Sequence, residues 1–280
     1  MTSGASALSV DGLGMRRGHG RWIFRDVTVH LRQREIVALN ATAGGGASTL
    51  LQALAGVLAP TRGTVRFRPP VVGFVPQHFP SNLAMSPEDY LNWIGRVRGM
   101  RPDVRQHRIA ELVRTFELGP AARQRLTALP EGEARTVLGR RLAIMQALLD
   151  EPALLILDDP WTVADAHLRD ILAKRVLDLA ARGCLVIYSG SAPALRPSRY
   201  LVLAGGTLAV SEADPAQSDN SRMRFELTGH GSALDGLSGV IEQHRHPDGL
   251  VLTVERAHSD ELIGRVIAAG WSVRRVEPGR

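Results

Sequence analysis

Alternating apolar and polar positions at 7–10, 22–31 and 35–39 predict three β-strands near the start of the chain. Val65-Arg66-Phe67 and Val71-Val72-Gly73-Phe74-Val75 continue that period. From 86 to about 128 the spacing becomes helical. Ser86-Pro87-Glu88-Asp89 starts it with a capping serine, a proline at the first position and acids in the first turn. Further helices are predicted over 131–149 and about 166–182. Between them, Leu154-Leu155-Ile156-Leu157 is apolar throughout, as a parallel strand covered on both faces must be. Strands follow at 184–188, 200–203 and 207–210, the last two as a hairpin. Strands alternating with helices predict an α/β domain over 1–212, with a helical subdomain at about 80–150. The polar stretch 213–221 predicts a linker. Residues 222–280 then follow a βαββαβ order (223–227, 232–237, 239–244, 250–254, 260–269, 272–276), which predicts a small α/β module.

Composition narrows the class. Of 280 residues, 44% are hydrophobic and 22% charged, ordinary for a globular chain. No apolar run approaches the ~18 residues of a spanning helix, and the first residues have no basic region of the secretory kind. Cys184 is the only cysteine and lies in an apolar run, which implies a buried strand residue and no disulfide framework. The net charge of +6 is carried by arginine, and Lys174 is the only lysine. Arg96, Arg98, Arg101, Arg105, Arg108 and Arg114 cluster, but no aromatics interleave with them as single-strand binding requires. They read as a solvated helix surface, and nucleic acid is not an expected partner.

The strand at 36–39 enters Ala41-Thr42-Ala43-Gly44-Gly45-Gly46-Ala47-Ser48-Thr49, and an apolar helix leaves it. This is the strand–loop–helix setting of the phosphate-binding pattern G-x-x-x-x-G-K-[ST]. Ala41 stands at its first glycine, Gly46 at its second and Ala47 at its lysine, while Ser48 keeps the magnesium-binding hydroxyl. A charge-assisted hydrogen bond is worth roughly 1.5–3 kcal/mol. Its loss weakens triphosphate binding by about one to two decades. The backbone N–H groups and the helix N-terminus still offer an anion site. A second element, Leu154 to Pro160, ends an apolar strand in Asp158 and Asp159.

The ordered set of loop, helical insertion and acidic strand resembles the ATP-binding subunit of an ABC transporter over 7–210. The helical block and C-terminal module are most similar to the ATPase subunits of ABC-2-type exporters. The resemblance implies ATP with Mg2+, held at Gly44, Gly45, Gly46, Ala47, Ser48 and Thr49, with Ser48, Gln77 and Asp158 around the metal. Phe74-Val75-Pro76-Gln77 resembles the Q-loop, and Leu129-Pro130-Glu131-Gly132-Glu133 stands where the signature LSGGQ is expected. Asp165 falls at the D-loop aspartate, Gly190 at the switch histidine, and Arg17 at the adenine-stacking aromatic, with Trp22 nearby. Asp159 replaces the glutamate that polarises water and is one methylene shorter, so Asp159 and Gln77 are the candidate catalytic residues. Losses at Ala47, Gly190 and the signature argue against efficient hydrolysis, since one transition-state donor is worth ~10²–10³ in rate.

The signature segment has two readings. Glu131 and Glu133 at a helix N-terminus either stand in for the missing anion and repel phosphate, or simply face solvent. The resemblance further implies a polytopic ABC-2-type membrane subunit as partner, a homodimer or a heterodimer with another ABC ATPase subunit, and a place on the cytoplasmic face of the membrane. The region 79–93 would receive the membrane subunit. The expected function is a catalytically degenerate subunit acting in assembly and conformational coupling. The alternatives are a slow but genuine transport ATPase and a soluble ABC-type regulator. His244 and His246 lack further ligands and read as surface residues. Ser189 and Ser191 lack a nucleophile-elbow context. Tyr90 and Trp93 read as packing residues.

Overall fold

The computed structural model describes residues 6–212 except 19, 43, 81, 130, 163 and 193, together with 222–228, 240–246, 249–255, 262, 265, 266 and 269–278. The chain forms two compact units, Met1–Glu212 and Ala213–Arg280.

The first unit opens with β1 (Ser6–Arg16) and β2 (Trp22–Arg32), an antiparallel pair. β3 (Ile36–Ala41) then leads into α1 (Ala47–Ala55), and β4 (Arg62–Phe67) returns to pair with β1. β1 runs well past the predicted 7–10. Asp11-Gly12 reads as a turn, but the strand absorbs it as a register shift between Val10 and Leu13, with Gly12 at φ +58.

The central sheet adds β5 (Val72–Val75), β6 (Leu154–Leu157), β7 (Leu185–Ser189), β8 (Arg199–Ala204) and β9 (Thr207–Ser211). Its order is β5-β6-β7-β3-β8-β9, parallel except for the β8–β9 hairpin. Period-two alternation sends neighbouring residues into different cores. Val37, Leu39, Leu154, Ile156, Leu185 and Ile187 pack with α1 and the β1–β2–β4 sheet. Ile36, Ala38, Leu155, Leu157, Val186 and Tyr188 pack with the helices on the other face. This double covering explains the unbroken apolar runs of β6 and β7.

The helical stretch is two helices, α2 (Pro87–Val97) and α3 (Pro102–Thr115), broken at Gly99 with φ +73. Ser86 caps α2, accepting the Asp89 N–H at 3.2 Å. The arginines here are only partly a solvated surface. Arg105 is buried and donates to Asn92 Oδ1 at 2.6 Å and to the Met100 carbonyl at 3.0 Å. Arg108 donates to Glu111 at 2.5 Å and to the Leu148 carbonyl at 3.1 Å. These guanidiniums tie helices together, a role that helical periodicity does not reveal because the arginine stem is apolar and its donors reach backbone. α4 (Glu133–Leu148) and α5 (Ala166–Ala181) flank β6 in the chain. Tyr90 packs edge-on to Phe79 at 5.7 Å, whereas Trp93 is 53% exposed and does not serve the core.

The second unit is an antiparallel sheet of β10 (Arg222–Thr228), β11 (Val240–His246), β12 (Gly249–Glu255) and β13 (Ser272–Pro278), in the order β11-β12-β10-β13. Phe225, Leu252, Val254, Val266 and Trp271 form its core. The linker expected at 213–221 and the helix expected at 232–237 lie outside the described residues. His244 and His246 sit on exposed β11, and no cluster of three metal-ligating side chains occurs among the described residues.

Cys184 is 4% exposed at the entry to β7, and burial pushes its thiol up to about 12. We expect a thiol reagent at pH 8 to leave the native protein unmodified and to react once denaturant unfolds it. Fast stoichiometric labelling without denaturant would contradict this placement.

Candidate functional site

The parallel register brings three strand ends side by side. Leu39 pairs with Ser189, and Leu157 pairs with Tyr188. The glycine loop leaving β3, the Asp158-Asp159 pair leaving β6 and the Gly190-Ser191 segment leaving β7 therefore line one cleft of about 940 Å³.

The loop is shaped by backbone that needs glycine. Gly44 and Gly46 have φ of +72 and +94, and a Cβ on Gly46 would stand 2.5 Å from Ile23 Cγ2. The Gly45 N–H donates to the Thr42 carbonyl at 2.8 Å, closing the turn. The first helical bond is Leu50 N–H to the Gly46 carbonyl at 2.9 Å, so the N–H groups of Ala47, Ser48 and Thr49 precede the helical ladder. Among the described residues no side chain caps α1, and no acid lies in its first turn. A helix end of this kind attracts an anion.

Asp158 is 2% exposed. Its Oδ1 accepts the Ser189 hydroxyl at 3.1 Å, while Oδ2 is buried with no hydrogen-bond partner among the described residues. An orphaned carboxylate oxygen at a polar cleft suits a hard cation. Together with the Ser48 hydroxyl and the loop, it fits a magnesium nucleotide.

Asp159 sits at φ +44 with its N–H on Ser189 Oγ at 2.9 Å. The Thr162 hydroxyl holds its carboxylate, 2.7 Å from both oxygens. Gly190 opposite has φ +84, and a Cβ there would meet Asp159 Oδ1 at 2.6 Å. The carboxylate thus lies where a side chain at 190 would begin.

Gln77 also lines the cleft. Its backbone is pinned from α4: Arg140, 5% exposed, donates to the Pro76 carbonyl at 2.8 Å and the Gln77 carbonyl at 2.5 Å. Burial pulls the Arg140 pKa below the ordinary arginine value, against the charges of Asp159 and Asp158. Arg17, Arg21 and Trp22 enter from the β1–β2 turn. The Arg16 guanidinium lies 4.1 Å above the Trp22 ring, so one face of that aromatic is already covered.

The cleft therefore gathers Arg17, the glycine loop, Gln77, Asp158, Asp159 and Gly190. Glu131, Gly132, Glu133 and Asp165 lie outside it. Asp165 caps α5, accepting the Leu168 N–H at 2.7 Å, a bond that together with Arg141 lowers its pKa. Gly132 precedes α4, and Glu131 is 92% exposed with an ion pair to Arg135 at 3.4 Å, the geometry of the solvent-facing reading. Pro130 lies outside the described residues. Sequence reasoning missed Arg21, Thr162 and Arg140. Thr162 follows Asp159 by three residues, a spacing that favours local side-chain bonds. Arg140 carries no local signal, since its acceptors are about sixty residues away.

A parallel sheet with a glycine loop, an uncapped helix and an orphaned carboxylate at its strand ends defines a phosphate-loop nucleotide-binding cassette. Residues 24–162 match the family model described as ABC transporter, and the chain carries an ABC transporter ATP-binding domain. It is 32% identical to the uncharacterized ABC transporter ATP-binding protein YxlF of Bacillus subtilis, over 56% of this chain and 54% of that protein. It is 32% identical to the Fe(3+) ions import ATP-binding protein FbpC of Streptomyces coelicolor, over 74% and 62%. The Nod factor export ATP-binding protein I of Bradyrhizobium diazoefficiens is 28% identical, over 65% and 62%. The match thus spans 54% to 62% of the length of these relatives. Among solved structures, an ATP-binding subunit of an ABC transporter superposes with a TM-score of 0.64 at 23% identity, covering 76% of this chain and 92% of that one. A dimeric ATP-binding cassette in a post-hydrolysis state bound to ADP and Pi gives 0.60 at 20%, covering 73% and 98%.

Placing histidine at position 190 alone is expected to destabilise the protein. A left-handed non-glycine residue costs roughly 1–3 kcal/mol, and the new Cβ collides with Asp159. Urea unfolding of Gly190→His should show an earlier midpoint, and an unchanged midpoint would mean that Asp159 moves freely aside.

Proposed function

We propose that the chain is the ATP-binding-type subunit of an ABC-2-like exporter, with degenerate nucleotide chemistry, acting in assembly and conformational coupling on the cytoplasmic face of a membrane. The observation that carries this reading is the pairing of an intact phosphate cradle and metal carboxylate with a γ-phosphate end that lacks its side chains. Gly44, Gly45, Gly46 and the first turn of α1 would hold phosphate, with Arg17 and Arg21 at the nucleoside side. Ser48, Gln77 and Asp158 would surround Mg2+, which when bound neutralises phosphate charge. Ala47 offers no cation and Gly190 no imidazole. Asp159 is held by Thr162, turned into the space beside Gly190, so its reach to a water is short.

Hydrolysis by such a site is expected to fall at least ~10²–10³-fold below that of one with the full set of donors. The alternative, a slow genuine ATPase, predicts turnover abolished by Asp159→Ala. No helix among the described residues is long and apolar enough to cross a membrane, and the proposal places the membrane-spanning part on a partner subunit. Trp93 and Val97, exposed by 53% and 67% one turn apart on α2, supply an apolar face for it. The export direction rests on the resemblance of the helical block and C-terminal module. Relatives named for import and for export stand at comparable identity.

The test has two arms. Calorimetry should detect magnesium nucleotide binding by the purified chain, and Ala47→Lys should tighten Mg·ATP by about one to two decades. A tagged chain should copurify with a polytopic membrane protein, and Trp93→Glu should release it. Absence of nucleotide binding removes the first half of the proposal. Absence of a membrane partner favours the soluble regulator.

A further inference from the structure

Resting on the nucleotide-binding reading above, we infer that this cleft takes a nucleoside diphosphate in preference to a triphosphate. The inference comes from how charge is divided across the loop.

The glycine loop sits between two unlike walls. On the β8 side stands the β1–β2 turn, held close by the contact of Ile23 with Gly46 and by the bond from Arg25 N–H to the Gly206 carbonyl at 2.8 Å. That wall brings Arg17 and Arg21 to the cleft. On the opposite side β7 and β6 follow β3 in the sheet, and their tips bring Asp158 and Asp159. The side chains lining the cleft therefore carry two positive charges at one wall and two negative charges at the other. Lys174 lies on α5 and does not line the cleft.

A phosphate loop cradles the first two phosphates with backbone N–H groups, and its lysine serves the second and third. With the nucleoside at the arginine wall, a third phosphate extends toward the carboxylate wall. There Ala47 and Gly190 provide no side-chain donor. Asp159 is fixed by Thr162 with Oδ1 beside Gly190. A cation at Asp158 would offset that carboxylate, whose buried Oδ2 is otherwise unpartnered among the described residues. Asp159 keeps its charge. Arg140, the cation that both carboxylates feel, is buried and committed to the Pro76 and Gln77 carbonyls. The first two phosphates meet the N–H groups of the loop, and the third meets an uncompensated carboxylate with only the neutral Gln77 amide and Ser191 hydroxyl beside it.

The measurement is calorimetric titration of the full chain with Mg·ADP and with Mg·ATP, repeated on Asp159→Asn. Asparagine keeps the size, the Thr162 contact and tolerance of the left-handed backbone while removing the charge. We expect Mg·ADP to bind about ten-fold or more tightly than Mg·ATP, a gap of one decade or more. In Asp159→Asn the gap should close through tighter Mg·ATP with little change for Mg·ADP. Mg·ATP binding as tightly as Mg·ADP, or a gap that Asp159→Asn leaves intact, overturns the inference while leaving the nucleotide site standing. Binding of neither nucleotide overturns both.

Discussion

Leu157 beside Tyr188 and Leu39 beside Ser189 are the pairings on which the site depends. Parallel strands end together when their hydrogen-bond register is fixed, and here the register is fixed by burial on both faces. A slip of one residue would exchange the two cores of the central sheet, moving Val37 and Ile187 into space shaped for Ala38 and Tyr188. The loop, the carboxylates and Gly190 are thus positioned by aliphatic packing several residues away. The residues at those tips contribute little to either core: Asp159 and Gly190 belong to neither, and Ala47 packs only partly buried against one of them.

What remains at those tips is asymmetric. Backbone donors depend on φ and ψ and persist with Gly44 and Gly46, whereas side-chain donors vanish with a single substitution. The loop presents the backbone part of phosphate recognition, and Ala47 adds no charged side chain to it. Ser189 donates to Asp158 and accepts the Asp159 N–H, so the metal corner of the cleft is tied to both carboxylate residues.

Much of this was legible in the chain itself. β6 and β7 announce themselves as unbroken apolar runs because both faces are covered. The Ser86 start of α2 is visible because caps and prolines act locally. The glycine loop is visible because left-handed backbone demands particular residues in order. The length of β1 was hidden by Asp11-Gly12, since a bulge and a turn share the same residue types. The clamps made by Arg105, Arg108 and Arg140 were hidden for a different reason. Their acceptors are mostly backbone carbonyls, which every residue possesses, and no sequence pattern marks which one a guanidinium will find. Trp93 was misjudged as a packing residue because helical spacing places it near Tyr90 without saying which side of the stripe is covered.

The contact between Gly190 and Asp159 also bears on how the chain can change over time. The Asp159 carboxylate occupies the room that a side chain at 190 would enter. A side chain at 190 meets that carboxylate and must also adopt a left-handed backbone. What position 190 can accept therefore depends on the residue at 159. A larger side chain at 190 is most easily accommodated when residue 159 changes with it.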